Sequence, residues 1–365
     1  WDVMKRRTWE ADFTQVDYPR LVQGGVDGGF WTLFVSQGPR TPAGHAAARD
    51  NALKIAVRIR EMVARNSEFF ELATRAEDAQ RIAQSGKQVV YLSMENGYPI
   101  GHDLTLLQTF YDLGVRMLGP VHFANNDLAD SATDTKGPEH HGLSDLGKQV
   151  VAECNRLGIV LDASHASDDV LRQLLELSAT PLILSHSGCK AVYAHARNID
   201  DDLLRALAAK GGVIQMNAFS AYVAPLKIDT DRNQALQALM AKFGGRSALT
   251  TPEKYADYVR ARAGIERQFP MPLASFDQFM EHVLHALKVA GPDHVGFSGD
   301  FDGGGGVEGL MDVTTMPRIT ERILSAGYSP EDVEKFWSGN MLRVLRAAET
   351  QAHRAMEQRS GAPIR

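Results

Sequence analysis

Five residues able to bind a metal or carry a proton each follow a short apolar run. Glu95 follows Gln88–Met94 (QVVYLSM), His122 follows Val115–Val121 (VRMLGPV) and His165 follows Gly158–Ser164 (GIVLDAS). His186 follows Pro181–Ser185 (PLILS), and Asp300 follows His294–Gly299 (HVGFSG). A neutral imidazole at a strand end is a common zinc ligand. His165 and His186 sit in matched contexts, DASHAS and ILSHSG, and are expected to bind one ion; the competing reading of each is a core histidine bonded to a carbonyl. A carboxylate at Glu95 is costly to bury unless a cation or a basic side chain meets it. Between two cations it can bridge. His122 is a ligand or a donor to developing negative charge.

Asp300 lies in GDFDGGGG, a spacing that fits neither an EF-hand nor a phosphate loop. A strand-end acid that accepts a proton from a metal-bound water suits it better, with Asp302 as the competing acid. Arg197, in HARNIDD, is either a surface helix-entry residue or a planar clamp for a substrate carboxylate. His45, His195 and His353 read as surface positions, and His282 and His285 as helix residues facing neighbours or solvent. His140-His141 belongs to a polar loop.

Polar groups at the C-terminal ends of successive apolar strands are the pattern of a (β/α)₈ TIM-type barrel site. The elements between them agree. Helices are expected over Ala46–Asn66, Ser144–Leu157 with Ser144 as cap, Asp168–Leu177 capped by Ser167, and Asp200–Lys210, with a late helix opening at Ser329-Pro330. Further strands are expected at Phe30–Val35 and Gly212–Met216, the latter ending at Asn217. Alternating buried strands and helices make a parallel α/β sheet. One domain over residues 1–365 is expected, interrupted by a helical insertion at about 221–275 that either packs peripherally or forms a lid. Only seven strands can be counted. The first strand is therefore expected upstream of Trp1, beside Phe30–Val35, with Trp1 near the carboxyl ends of the sheet.

The 365 residues are 44% apolar and 23% charged, as in a soluble globular protein, and the net charge of −6 argues against nucleic acid as the main partner. No run approaches a transmembrane helix. Cys154 and Cys189 form neither a zinc motif nor a disulfide framework.

The segments DYPRLVQGGVDGGFW, SMENG, HFANNDLADSATD, GLSDLGKQVVAECNRLGIVLDASHAS, PLILSHSGCKAV, RNIDDDLL, GGVIQMN, HVGFSGDFDG and GNMLRVL resemble the membrane, or renal, dipeptidase family of metal-dependent amidohydrolases. The resemblance implies a barrel with two Zn²⁺ ions and hydrolysis of small dipeptides by a metal-bridging hydroxide. It implies that Glu95 bridges the ions, that His165 and His186 bind the second, that His122 holds the scissile carbonyl oxygen, that Arg197 clamps the substrate carboxylate and that Asp300 transfers the proton. The family's first-strand His-x-Asp ligands are absent from this sequence, and Trp1 resembles the residue that follows them. Where the family has Glu-Gly-Gly-His, this chain has Glu95-Asn96-Gly97-Tyr98. That change alters the pocket floor and makes Tyr98 a substrate-binding candidate. The alternatives are a weakly hydrolytic or non-hydrolytic member that matures a secreted peptide natural product, and a binding protein with a degraded metal site. A bacterial periplasmic or secreted location is expected, with the cytoplasm as alternative. A small peptide is the expected partner, and a homodimer is an open option.

Overall fold

A computed structural model describes residues 2–245, 248–249 and 251–360. The chain forms two compact units. One comprises Trp1–Val26, Asn217–His282 and Ser298–Arg322; the other comprises Asp27–Met216, Val283–Phe297 and Ile323–Arg365. Trp1 lies outside the described residues.

Nine strands occur among the described residues: β1 (Gly28–Phe34), β2 (Phe70–Leu72), β3 (Gln88–Glu95), β4 (Val115–Leu118), β5 (Val160–Leu161), β6 (Ile183–Cys189), β7 (Asn198–Ile199), β8 (Val213–Asn217) and β9 (Val295–Ser298). Seven follow one another as an arc, β1-β3-β4-β5 and then β6-β8-β9, with a parallel Asp162–Ile183 bridge linking the two runs. β2 adds to the start of β3 and β7 flanks β6. Nearly every residue of β3 is buried, as expected for a parallel strand covered on both faces. β1 and β9 are the ends of the arc, and among the described residues no strand pairs with their outer edges.

The register gathers the strand ends at one rim. Phe34 lies opposite Glu95, Met94 opposite Leu118, and Leu118 opposite Leu161. On the sheet, Val89, Tyr91, Met117, Val160, Ile183 and Val213 form one apolar cluster with Met341, Val344, Leu345 and Ala348 of the helix Asn340–Ser360. Those four helix positions recur at three- and four-residue steps, so a single face is buried. Each large aliphatic side chain buried there contributes about 1.5–3 kcal/mol.

Several strand boundaries depart from expectation. β4 and β5 stop early, at Leu118 and Leu161, instead of running to Val121 and Ser164. Pro120 brings no backbone N–H to a ladder, and the Asp162 side chain accepts the N–H groups of Ser164 and Ser185 in place of sheet carbonyls. β6 continues to Cys189, so His186 lies within a strand and not after one. Helix starts at Ser144, Ser167 and Ser329 follow expectation, and Asp200, expected as a first helical residue, is instead a cap; each accepts a backbone N–H three residues on.

In the other unit, the insertion supplies helices Thr230–Lys242 and Pro252–Gln268, joined by a two-pronged Arg232–Glu266 pair. Arg262 stacks 4.2 Å above the Phe13 ring. Buried Arg20 bonds Asp17, the Thr14 carbonyl and Asp312. Gln15 binds the carbonyls of Gly305 and Met311 and exchanges two bonds with Asp302. Asp302 thereby anchors Gln15 to the loop after β9. Gly305 is obligatory, since a Cβ there would lie 1.9 Å from the Gly299 carbonyl oxygen.

Candidate active site

Glu95 ends β3, His186 lies in β6, and His122 and His165 emerge just beyond β4 and β5. Their side chains converge. Glu95 Oε1 lies 2.9 Å from His165 Nε2, 3.2 Å from His186 Nε2 and 3.6 Å from His122 Nε2. The His165 and His186 Nε2 atoms are 2.8 Å apart. Two bonds of about 2.0–2.1 Å at a tetrahedral angle put ligand atoms roughly 3.3 Å apart. The oxygen and the two nitrogens are already spaced near that edge length.

The tautomer of His186 follows from its neighbours. A carboxylate only accepts, so the single Ser185 hydroxyl hydrogen goes to Asp162 Oδ2 at 2.6 Å. Ser185 Oγ must then accept from His186 Nδ1, 2.7 Å away. The lone pair of His186 is left on Nε2, facing Glu95. Neither Asp162 nor Ser185 was among the residues singled out from sequence. Their signals were an acid three positions before His165 and a hydroxyl directly before His186.

His165 adopts φ of 66°, an uncommon conformation for a non-glycine residue that aims its ring inward. Its Nδ1 is buried and has no hydrogen-bond partner among the described residues. The two imidazole nitrogens and the carboxylate oxygen that converge make a donor set suited to a transition-metal ion.

Electrostatics favour neutral rings beside an ionised carboxylate. Burial pushes the His122 pKa down to about 4, and His186 and Arg197 add to that against the pull of Glu95. Burial, then the Arg197 charge, holds His165 well below the usual histidine range. Burial opposes ionisation of Glu95, but the adjoining His186 and His165 rings outweigh it and hold its pKa well below the usual carboxylate range.

The His122 ring is packed between Phe34 and Phe123, at centroid distances of 4.7 and 3.9 Å. Phe123 is 51% exposed and also meets the edge of His165. Neither phenylalanine stood out from sequence. Arg197 is buried, not a surface residue, and its Nη2 donates to the His186 carbonyl. Asp300 belongs to the unit holding the insertion, with φ of 48° and Asn217 Nδ2 at 3.5 Å from Oδ2.

The two departures at 96 and 98 have structural explanations. Asn96 has φ of 74°, which asparagine tolerates. It is buried and fully engaged, donating to the Val35 carbonyl and accepting from Tyr98 N and Asn126 Nδ2. Tyr98 is buried, and its hydroxyl donates to the Pro39 carbonyl at 2.7 Å. Its polar end is thus tied to backbone, and its ring lies against His45. His45 is not the surface residue expected: its side chain is 12% exposed and bonds Asp127. His282 is buried on the Val223 carbonyl, and His285 bonds Asp201.

The sequence and fold have close relatives. Dipeptidase tcpJ of Claviceps purpurea is 33% identical over 346 residues, covering 92% of this chain and 69% of that protein. Dipeptidase 3 of Macaca fascicularis is 31% identical, covering 92% and 59%. The crystal structure of the probable dipeptidase PvdM from Pseudomonas aeruginosa matches with a TM-score of 0.78 at 32% identity, covering 93% of this chain and 90% of that one. A Rhodobacter sphaeroides metallopeptidase, solved with a phosphinate mimic of L-Ala-D-Ala, shares the fold at a TM-score of 0.72 and 24% identity, covering 92% and 90%. The profile of the membrane dipeptidase family, peptidase family M19, matches residues 2–359. A TIM-barrel fold, imidazoles and a carboxylate converging at its strand ends, and a match over nearly the whole length place this chain in the membrane dipeptidase family, as a metallo-dipeptidase.

Proposed function

We propose that the chain hydrolyses small dipeptides with zinc held by Glu95, His165 and His186. The observation that carries this reading is the Asp162–Ser185–His186 chain, which fixes a ring lone pair on the point where Glu95 and His165 also meet. Glu95 would also be the residue shared with a further ion, if a second one binds beside the first. When bound, the metal supplies Lewis acidity, polarising the scissile carbonyl and lowering the pKa of a water.

The protein's own groups do the rest. His122 is neutral at pH 7, so its ring acts as a hydrogen-bond donor to the carbonyl oxygen as negative charge develops there. Phe34 and Phe123 hold that ring in place and exclude water from it. Arg197, anchored on the His186 carbonyl, offers a buried positive charge to the substrate's terminal carboxylate, which selects dipeptides over longer chains. Asp300 removes a proton from the attacking water and returns it to the leaving nitrogen. Tyr98 contributes by shaping the loop after β3, since its hydroxyl is committed to Pro39.

Replacing Asp300→Asn tests the assignment of roles. Zinc content is expected to stay at the parent level while turnover of a dipeptide panel falls by about 10²–10⁴-fold, the usual contribution of a general acid–base group. Near-parental turnover would remove Asp300 from the mechanism.

A further inference from the structure

We propose that His45, His102 and Asp127 form a second divalent transition-metal site, separate from the Glu95 cluster, which ties two loops to the first turn of the helix Pro42–Arg65 within the same unit. His45 Nε2 lies 2.9 Å from Asp127 Oδ2, and His102 Nε2 lies 3.6 Å from Asp127 Oδ1. One ligand atom from each residue falls within 4.8 Å of the other two. These separations bracket the roughly 3.3 Å between ligand atoms of a tetrahedral zinc site. Two imidazoles and a carboxylate suit zinc, copper or nickel, while magnesium and calcium prefer all-oxygen surroundings.

Half of the site is preformed. The His45 and Asp127 side chains are only 12% and 13% exposed, whereas His102 is 71% exposed and approaches from solvent. Packing fixes the His45 ring. Tyr98 meets its edge at 5.1 Å, and Gly101, at φ of 53°, leaves room for it where a Cβ would come within 3.0 Å of the ring. Arg40 Nε donates to Asp127 Oδ1 at 3.0 Å and its Nη1 pairs with Glu139. It orients the carboxylate so that Oδ2 faces His45, as outer-sphere partners of metal ligands do. The Arg40 charge also opposes a cation, so this site is expected to bind more weakly than the Glu95 cluster.

The three ligands come from three successive strand-end segments. His45 opens the helix Pro42–Arg65 after β1, His102 follows β3, and Asp127 follows β4. The latter two segments also carry Glu95 and His122. An ion here cross-links the loops that frame those residues without sharing a ligand with them.

Zinc binding to the full-length protein by equilibrium dialysis tests the proposal, in the parent, His102→Ala, Glu95→Gln and the double variant. His102 is exposed, so its removal is not expected to disturb folding. The expected result is one ion lost, or weakened by about tenfold or more, on His102→Ala in both the parent and the Glu95→Gln backgrounds. Thermal stabilisation by added zinc should shrink in step. Equal zinc content and affinity with and without His102 would overturn the proposal. A Glu95→Gln variant with parental zinc content would instead contradict the reading of the Glu95 cluster, and the His102-dependent ion would still be counted.

Discussion

At the scale of single residues, the chemistry depends on which nitrogen carries a hydrogen. His186 is a ligand candidate because Ser185 can only accept from Nδ1 once its own hydrogen is on Asp162. Replacing Ser185→Ala breaks that chain but leaves the backbone N–H groups of Ser164 and Ser185 on Asp162. The fold should survive while zinc affinity, measured by competition with a chelator, falls about 10–100-fold. Unchanged affinity would mean that another contact sets the tautomer. The strand-end positions of Glu95, His122 and His165 were legible in sequence because each closes an apolar run. The hydroxyl–carboxylate relay was not, since it joins Asp162 and Ser185 across two strands and depends on register.

At the scale of elements, caps were legible and short strands were not. Ser144 is a case of the first. Its Oγ accepts from Gly147 N and donates to the Asp127 carbonyl, so it both starts a helix and holds a loop. Ser144→Ala should lower stability by about 1 kcal/mol or more, read from chemical unfolding, because cap and loop bonds are lost together. A change of a few tenths would show that water replaces both. β2 and β7, at three and two residues, were not identified, because so few residues carry no period. The early ends of β4 and β5 also required knowledge of where a side chain replaces a ladder bond. Gly305 adds a sharper test in the other unit. Gly305→Ala drives a methyl into the Gly299 carbonyl, and a loss of about 2 kcal/mol or more is expected in thermal unfolding.

At the scale of the whole molecule, the buried neutral histidines make metal-free stability depend on pH. The His122 pKa falls from the usual histidine value of 6.5 to about 4 on folding, and that of His165 also falls. Between those limits the unfolded chain binds protons that the folded one refuses. Stability of chelator-treated protein should therefore be flat above pH 6.5 and decline as pH falls toward 4, with each such histidine contributing about 1.4 kcal/mol per pH unit. His122→Asn should remove one proton's share of that slope in acid-titrated unfolding. The seven-strand arc and its alternating helices were legible from the apolar runs, and the family from the resemblance of segments such as SMENG and HFANNDLADSATD. The division into two compact units was not, because it groups Trp1–Val26 with the insertion and the Gly303–Gly306 loop through Gln15 and Arg20, residues with no pattern of their own.

The central claim is that one carboxylate and two imidazoles from three strands hold the catalytic metal. It is tested most directly by the zinc content of full-length Glu95→Gln after gel filtration, compared with the parent and with His165→Ala. An amide keeps the shape of Glu95 but brings no charge, so both variants should lose the tightly held zinc and dipeptide hydrolysis together. Glu95→Gln protein that retains parental zinc content would contradict the claim.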